Sequence, residues 1–332
     1  MLSHLPLSRS GIPKAMMRNY LLRRLFQAVF VLWAAYTVTF GVLYLLPGDP
    51  ATIMAAGGGD ASTVTPEQTE ALRHQYGLDQ PLAEQYGTRL LHAAHGDFGR
   101  SVQSGTPVTQ LIAQALPTTL QLAAAAMLLA VVLGGALALL ASWTRSGRLL
   151  LSLPAVGVSA PTFWVGLVLV QLLSFRWRVF PAFGDEGLDA LVLPSVTLAL
   201  PGAALIAQVL ARSLRTVLAE PYVQTALAKG AGRGRILFRH ALRNASLPSL
   251  TLIGVMTGNV LGGAVVVETV FARAGIGRET AAAVTAQDIP VVQGVVVLGA
   301  VAFVLTTLAV DLIHPLLDPR ITTTTPRPAV AA

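Results

Sequence analysis

The chain has 332 residues, of which 54% are hydrophobic and 12% charged, with a formal net charge of +7 and no cysteine. An ordinary soluble chain is about one-quarter charged, so this composition excludes a soluble globular domain. The missing cysteine excludes disulfides, thiolate metal sites and cysteine nucleophiles.

Six windows lack Asp, Glu, Lys and Arg; they lie between Arg24 and Asp49, Arg100 and Arg145, Arg148 and Arg176, Asp189 and Arg212, Arg243 and Glu268, and Asp288 and Asp311. Each supplies the run of about 20 apolar residues that a helix needs to cross a bilayer. Hydrocarbon offers backbone groups no partner, so each crossing segment must pair its own N–H and C=O groups. The expected fold is all-α: a polytopic membrane protein with six transmembrane helices.

Residues 1–24 form a basic lead, and the first span follows at 25–46. Its apolar run is longer than the core of a secretory signal, about 7–15 residues. It ends at "LLPGDP", where Pro47, Gly48 and Pro50 stop a helix. Residues 47–117 make an outer helical segment. Thr65 is placed to cap a helix that starts at Pro66 and runs to Gln75. "GLDQPLAEQYGTRLLHAAHGDFGRS" predicts a second short helix. Its His92 and His95 stand at i, i+3, but two histidines do not make a metal site.

Residues 118–313 hold the remaining spans. The second is expected at 118–140 and the third at 149–174. The fourth, at 191–211, contains Pro194 and Pro201, which predict a kink or a broken turn. The fifth, at 247–267, carries Gly254, Gly258 and Gly262 at a spacing that lets membrane helices pack closely. The sixth spans 289–313, and a tail of small and polar residues occupies 314–332.

Loop charge sets orientation. With both termini in the cytoplasm, sixteen Lys and Arg residues lie inside and seven outside. The net charge then follows from topology and calls for no nucleic acid.

The chemistry that would drive transport is missing from the chain. "AKGAGRGR" has its lysine before the glycines and no following Ser or Thr, so it is no phosphate loop. Neither H-E-x-x-H nor G-x-S-x-G occurs, and no catalytic or metal-binding residue is expected. Glu268 and Asp311 fall at span ends, which leaves no intramembrane proton relay. Energy for uphill transport must come from elsewhere.

The loop at 212–246 addresses that need. "EPYVQTALAK" fits a short helix with Pro221 in its first turn and Gly230 as its stop. Val223, Ala226 and Leu227 share one face, and a second helix around 235–243 carries Ile236, Leu237 and His240. Such an element is too short to span a membrane and is sized to enter a groove on another protein.

The segment resembles the cytoplasmic loop of ABC-importer permeases, whose pattern is E-A-A, three residues, then Gly, with a later apolar-x-L-P. Ala226 stands for the second alanine, Gly230 for the glycine and Leu247–Pro248 for the closing pair, while Gln224 and Thr225 replace the Glu and first Ala. "YVQTALAKG" and "HALRNASLP" are similar to the peptide/nickel branch, as are "LLPGDP", "GLDQPL", "GDFGRS", "LPTTLQLA", "GGAVVVETVFARAGIGR", "DIPVVQG" and "DLIHPLLDPR". The long outer segment resembles the first of that branch's two permeases.

The resemblance implies a type I importer permease that pairs with a second homologous permease in the lipid bilayer. Two ABC ATPase subunits, holding ATP and Mg, would bind below, and an extracytoplasmic solute-binding protein would deliver peptides. It further implies that a helix from Tyr222 to Gly230 sits in an ATPase cleft. Ala226 and Gly230 would give close fit, Lys229 and Arg233 a polar rim, and His240 and Asn244 would pin the second helix. Nickel or a metal chelate is the alternative cargo. A self-sufficient secondary transporter or channel is the alternative class.

Overall fold

The computed structural model describes residues 14–45, 49–56, 64–75, 77–144, 147, 150–152 and 160–317. Every regular element among them is helical. These are α1 (Lys14–Leu45), α2 (Pro50–Ala56), α3 (Pro66–Gln75), α4 (Leu82–Ala94) and α5 (Val108–Trp143). Next come α6 (Thr162–Arg176, π-helical from Val170), α7 (Asp189–Leu218), α8 (Pro221–Ala228) and α9 (233–245, with a π-helical centre at Ile236–Ala241). The chain closes with α10 (Leu247–Val270), α11 (Ile276–Thr285) and α12 (Ile289–Leu317).

Five helices, α1, α5, α7, α10 and α12, are long and apolar enough to cross a bilayer. The third expected span contributes a shorter apolar helix, Thr162–Arg176, and residues 153–159 of that span lie outside the described residues. Boundaries also shift, α7 running to Leu218 inside the expected loop at 212–246 and α12 to Leu317. Helix α1 starts at Lys14, well inside the expected lead. Helix α5 starts at Val108, so the expected border between 117 and 118 falls inside one helix that runs through Pro117.

Helix α7 is the most enclosed of the five, and α5 lies along it. The contact face of α5 repeats every fourth residue: Leu122, Ala126, Ala130, Gly134 and Ala138 are all buried. They meet Ala199, Gly202, Ala203 and Ile206 of α7. Lipid tails are as apolar as Leu, so membrane helices gain by close packing rather than by leaving water. Small residues supply that closeness. A Cβ built on Gly134 would lie 2.6 Å from the Ala203 carbonyl oxygen and 2.9 Å from Ile206 Cβ. The neighbouring Gly135 has nothing within 4 Å. Gly134→Val should therefore cost about 1–3 kcal/mol by overpacking, seen as a lower unfolding midpoint of the purified protein, whereas Gly135→Val should leave the midpoint unchanged. Equal midpoints would contradict this packing.

Outward faces of the spans carry exposed Phe26, Phe30, Leu128, Val132, Phe303 and Leu305. A helix that is apolar all round without being enclosed by its own chain fits a lipid surrounding.

Of the kink or broken turn expected in the fourth span, no broken turn is formed. Helix α7 is continuous through Pro194 and Pro201. Proline denies a hydrogen bond to the carbonyl four residues earlier, which for Pro194 is that of Ala190. The Arg273 guanidinium takes that carbonyl instead, with Nη1 donating at 3.4 Å. The vacancy is filled from outside the helix.

Candidate functional site

Helices α8 and α9 are the pair of short helices expected between the fourth and fifth spans. Helix α8 begins after Glu220, with Pro221 as its first residue. It ends in a Schellman turn: the Gly230 N–H donates to Leu227 O at 2.9 Å and the Ala231 N–H to Ala226 O at 3.0 Å. Gly230 has φ +84°, a left-handed conformation that strains any residue with a Cβ, and nothing lies within 4 Å of a Cβ built there. The glycine is required within this chain by backbone geometry.

One face of the element is anchored. Val223 of α8 is buried, as are Ile236, Leu237, Ala241 and Ala245 of α9. Of these, Leu237, Ala241 and Ala245 pack with Ala138 of α5 and Leu210, Ala211 and Leu214 of α7. Trp143 at the end of α5 lies against Gly234. The element is thus seated on the adjoining ends of the two most closely packed spans.

The other face is open. Tyr222 and Phe238 are exposed apolar groups, Leu227 is 44% exposed and lines a cavity with Val223, Ile236 and Arg233, and Lys229, Arg233, Arg235, Arg239 and Arg243 are exposed on the same element. Ala226 is half-buried, and of the three residues expected to share one face Val223 is enclosed and Leu227 exposed. Asn244 Nδ2 donates to the Tyr222 hydroxyl at 3.4 Å, tying α9 to α8. His240 is exposed and plays no part in that tie; the apolar residues of α9 pin the second helix instead.

In the glycine series of the fifth span, Gly258 and Gly262 make no tight contact among the described residues. Gly258 meets Phe303 of α12 at an ordinary 3.7 Å, Gly262 is exposed with nothing within 4 Å, and Gly254 is half-buried.

A second cluster lies at the far end of α10, about 30 Å from α9 at 1.5 Å per residue. Glu268 is fully buried there. Its Oε1 accepts from the Thr119 hydroxyl at 2.7 Å, and its Oε2 accepts from the N–H groups of Gly277 at 2.7 Å and Arg278 at 3.4 Å. The Thr119 oxygen also accepts from the Ile276 N–H at 2.8 Å. Helix N-termini leave their first N–H groups unpaired. Here one carboxylate and one hydroxyl, from two different spans, satisfy three of those of α11. Gly277 lets α11 press against the Val265 backbone, and a Cβ at Gly275 would run into the Glu268 carboxylate.

Arg273, also buried, fixes the adjoining loop. It donates to the carbonyls of Gly184 and Ala190, each at 3.4 Å, and pairs with Asp185 at 3.4 Å. Asp185 in turn accepts from the Ala274 N–H at 2.8 Å. Expecting Glu268 to be a span-end charge missed this burial. The two glycines of "AGIGR" were the signal, since they mark a close approach by the helix that follows.

In the segment at 47–117 the described residues include the two expected short helices and several ties to the spans. Thr65 and Gln68 form a reciprocal capping box: the Gln68 N–H donates to Thr65 Oγ1 at 3.3 Å and the Thr65 N–H to Gln68 Oε1 at 3.0 Å. Arg73 pairs with Asp49 at 3.0 Å and with Glu70 at 2.9 Å. Burial pushes the Asp49 carboxyl up, but hydrogen bonds from Thr52 and the Arg73 charge outweigh it and hold the group below its ordinary value. Tyr86 of α4 stacks edge-on against Phe40 of α1, and its hydroxyl lies 2.8 Å from Thr37 Oγ1. The Ser101 hydroxyl donates to buried Asp288 at 2.5 Å, fastening the segment to the start of α12. His95 Nδ1 lies 2.8 Å from the Leu91 carbonyl oxygen of its own helix, and His92 lies 3.8 Å from Asp97.

Comparison with known proteins covers almost the whole chain. Residues 130–323 match the family "Binding-protein-dependent transport system inner membrane component". Residues 16–123 match "Binding-prot-dependent transport system membrane comp, N-term". A probable peptide ABC transporter permease protein y4tP of Sinorhizobium fredii is 38% identical over 91% of this chain and 98% of its own length. The glutathione transport system permease protein GsiC of Escherichia coli K12 is 36% identical over 92% of this chain and 99% of its own. Among solved structures, an amino acid ABC transporter crystallised with histidines matches at a TM-score of 0.47 and 18% identity, covering 64% of this chain and 94% of that one.

Proposed function

The chain belongs to the family of binding-protein-dependent transport system inner membrane components, and from that premise we propose that it forms half of the path through which an ATP-driven importer carries peptides. It is an all-α, multi-pass permease of the bacterial inner membrane. Family membership sets aside the self-sufficient secondary transporter or channel. The relatives described above favour peptides over nickel or a metal chelate as cargo.

In this reading both termini are cytoplasmic and the path is shared with a second homologous permease. Two ATPase subunits bind ATP and Mg below, and an extracytoplasmic binding protein delivers cargo. The observation that carries the coupling role is the two-sided build of α8 and α9. One side is seated on α5 and α7, and the other presents Tyr222 and Phe238, with Leu227 at the margin and exposed basic residues on the same two helices. A movement imposed on the open face passes to the spans because the seated face has little slack. Lys229 and Arg233 supply rim charge, Ala226 lies at the margin, and Gly230 ends the inserted helix. Gly254, Gly258 and Gly262 leave a low-profile face on α10 for the second permease.

The test is uptake by the reconstituted complex, comprising both permeases, the ATPases and the binding protein. Labelled dialanine should accumulate inside vesicles only with ATP, and nickel should not. ATP-driven accumulation of nickel without peptide would overturn the cargo reading.

A further inference from the structure

A cavity of about 380 Å³ opens where the outer segment meets the start of α12. Ligand pockets commonly occupy about 300–1,000 Å³, so the space suits a molecule of dipeptide size. Its lining includes Gln85, Arg89, His92, Asp97 and Gln293. Gln85 and Gln293 are buried, Arg89 is half-buried, and His92 and Asp97 are exposed. The cavity therefore runs from a solvent-facing pair inward to a floor of amides.

The two floor amides differ. Gln85 Nε2 is used, donating to the Gln80 carbonyl at 2.7 Å and the Leu78 carbonyl at 3.3 Å. Gln293 Nε2 is buried and has no hydrogen-bond partner, in a residue that is only 7% exposed. A buried donor without an acceptor is costly, and most such groups in native proteins are satisfied. What this one lacks is an acceptor. Arg89, one helical turn beyond Gln85 on α4, adds a permanent cation to the lining. Donors inside and an acid at the mouth describe the complement of a zwitterion.

We propose that this cavity binds the carboxylate of a short peptide, with Gln293 Nε2 and the Arg89 guanidinium as donors. Asp97 at the rim receives the ligand's ammonium or amide N–H. The buried acid Asp288 lies outside the lining, its Oδ2 engaged by the Ser101 hydroxyl and its Oδ1 buried without a partner. The carboxylate chemistry is read from the cavity; that the carboxylate belongs to a peptide rests on the cargo reading above. The outer segment thereby holds cargo beside α1 and α12, at the outer end of the spans.

The experiment is equilibrium binding of labelled dialanine to the complex of both permeases and the ATPases in nanodiscs, without binding protein. Wild type should bind saturably, and dialanine amide should bind about tenfold more weakly, since it loses a charge-assisted pair. Gln293→Leu and Arg89→Gln should each weaken dialanine by about the same factor. Arg89→Gln keeps a polar side chain at a half-buried position, so it carries the test should Gln293→Leu fail to fold. No saturable binding, or binding indifferent to both substitutions, in a complex that imports peptides would overturn the site and leave the cargo reading standing. Acetate bound with the same dependence on both residues, in a complex that imports no peptide, would uphold the carboxylate site and overturn its peptide occupant.

Discussion

Replacing Glu268 with Ala should remove most of the folded protein. The substitution leaves the N–H groups of Gly277 and Arg278 and the Thr119 hydroxyl without their acceptor in a dry site. Removing one partner of a buried charged network costs about 3–5 kcal/mol, against a total stability of about 5–15 kcal/mol for a typical domain. Glu268→Gln retains one carbonyl oxygen as acceptor and should cost less, about 1–3 kcal/mol. Thr119→Val should fall in the same range, and Thr119→Ser, which keeps the hydroxyl, should recover much of the loss. Yield of monodisperse protein after detergent extraction, together with its unfolding midpoint, orders the series. A Glu268→Ala protein as stable as wild type would show that α11 has another cap.

The second large effect is expected on the open face of the α8–α9 element. Leu227→Asp with Phe238→Asp places two acids where exposed apolar groups now stand. Phe238 is 58% exposed, while Leu227, 44% exposed, lines a cavity with Val223 and Ile236, so the unfolding midpoint is measured alongside and Phe238→Asp alone carries the test should the pair lower it. If an ATPase groove receives this face, desolvating two unpaired acids opposes docking strongly, and burying an isolated charge costs several kcal/mol. Cargo-stimulated ATP hydrolysis should then fall to background.

A bulky residue at Gly230 is a poorer probe, because the left-handed φ of +84° would strain Trp whatever the partner does. Gly230→Ala, which carries the left-handed strain without the bulk, separates the two causes. If hydrolysis persists with Ala and fails with Trp, contact bulk matters. If both fail alike, backbone strain is sufficient to explain the loss.

Features written in local pattern were legible beforehand. The apolar runs announced the spans, Thr65 and Pro66 announced the start of α3, and the Pro221-to-Gly230 interval announced α8. In each case the deciding physics operates within a few residues. Long-range partners left a fainter trace. Glu268 reads as a span-end charge until Thr119, 149 residues away in sequence, is brought beside it. Pro194 reads as a break until Arg273 reaches the carbonyl it frees.

The glycine spacing at 254, 258 and 262 drew attention from the repeat that packs within this chain, Ala126, Ala130, Gly134 and Ala138. Spacing alone shows that a face is smooth. It does not show which helix covers it. The same limit applied to His240 and Asn244: both are polar and lie on one short helix, yet only Asn244 reaches Tyr222.

The central claim is that ATPase motion enters the spans through the α8–α9 element. Its most direct test is a photo-cross-linking side chain installed at position 227 in the assembled importer, with position 128 on the outward face of α5 as the control. Position 227 is expected to capture an ATPase subunit, with a yield that changes between nucleotide-free and ATP-bound states, while position 128 captures none. An ATPase that co-purifies with the permeases yet is never captured from position 227 would contradict the claim.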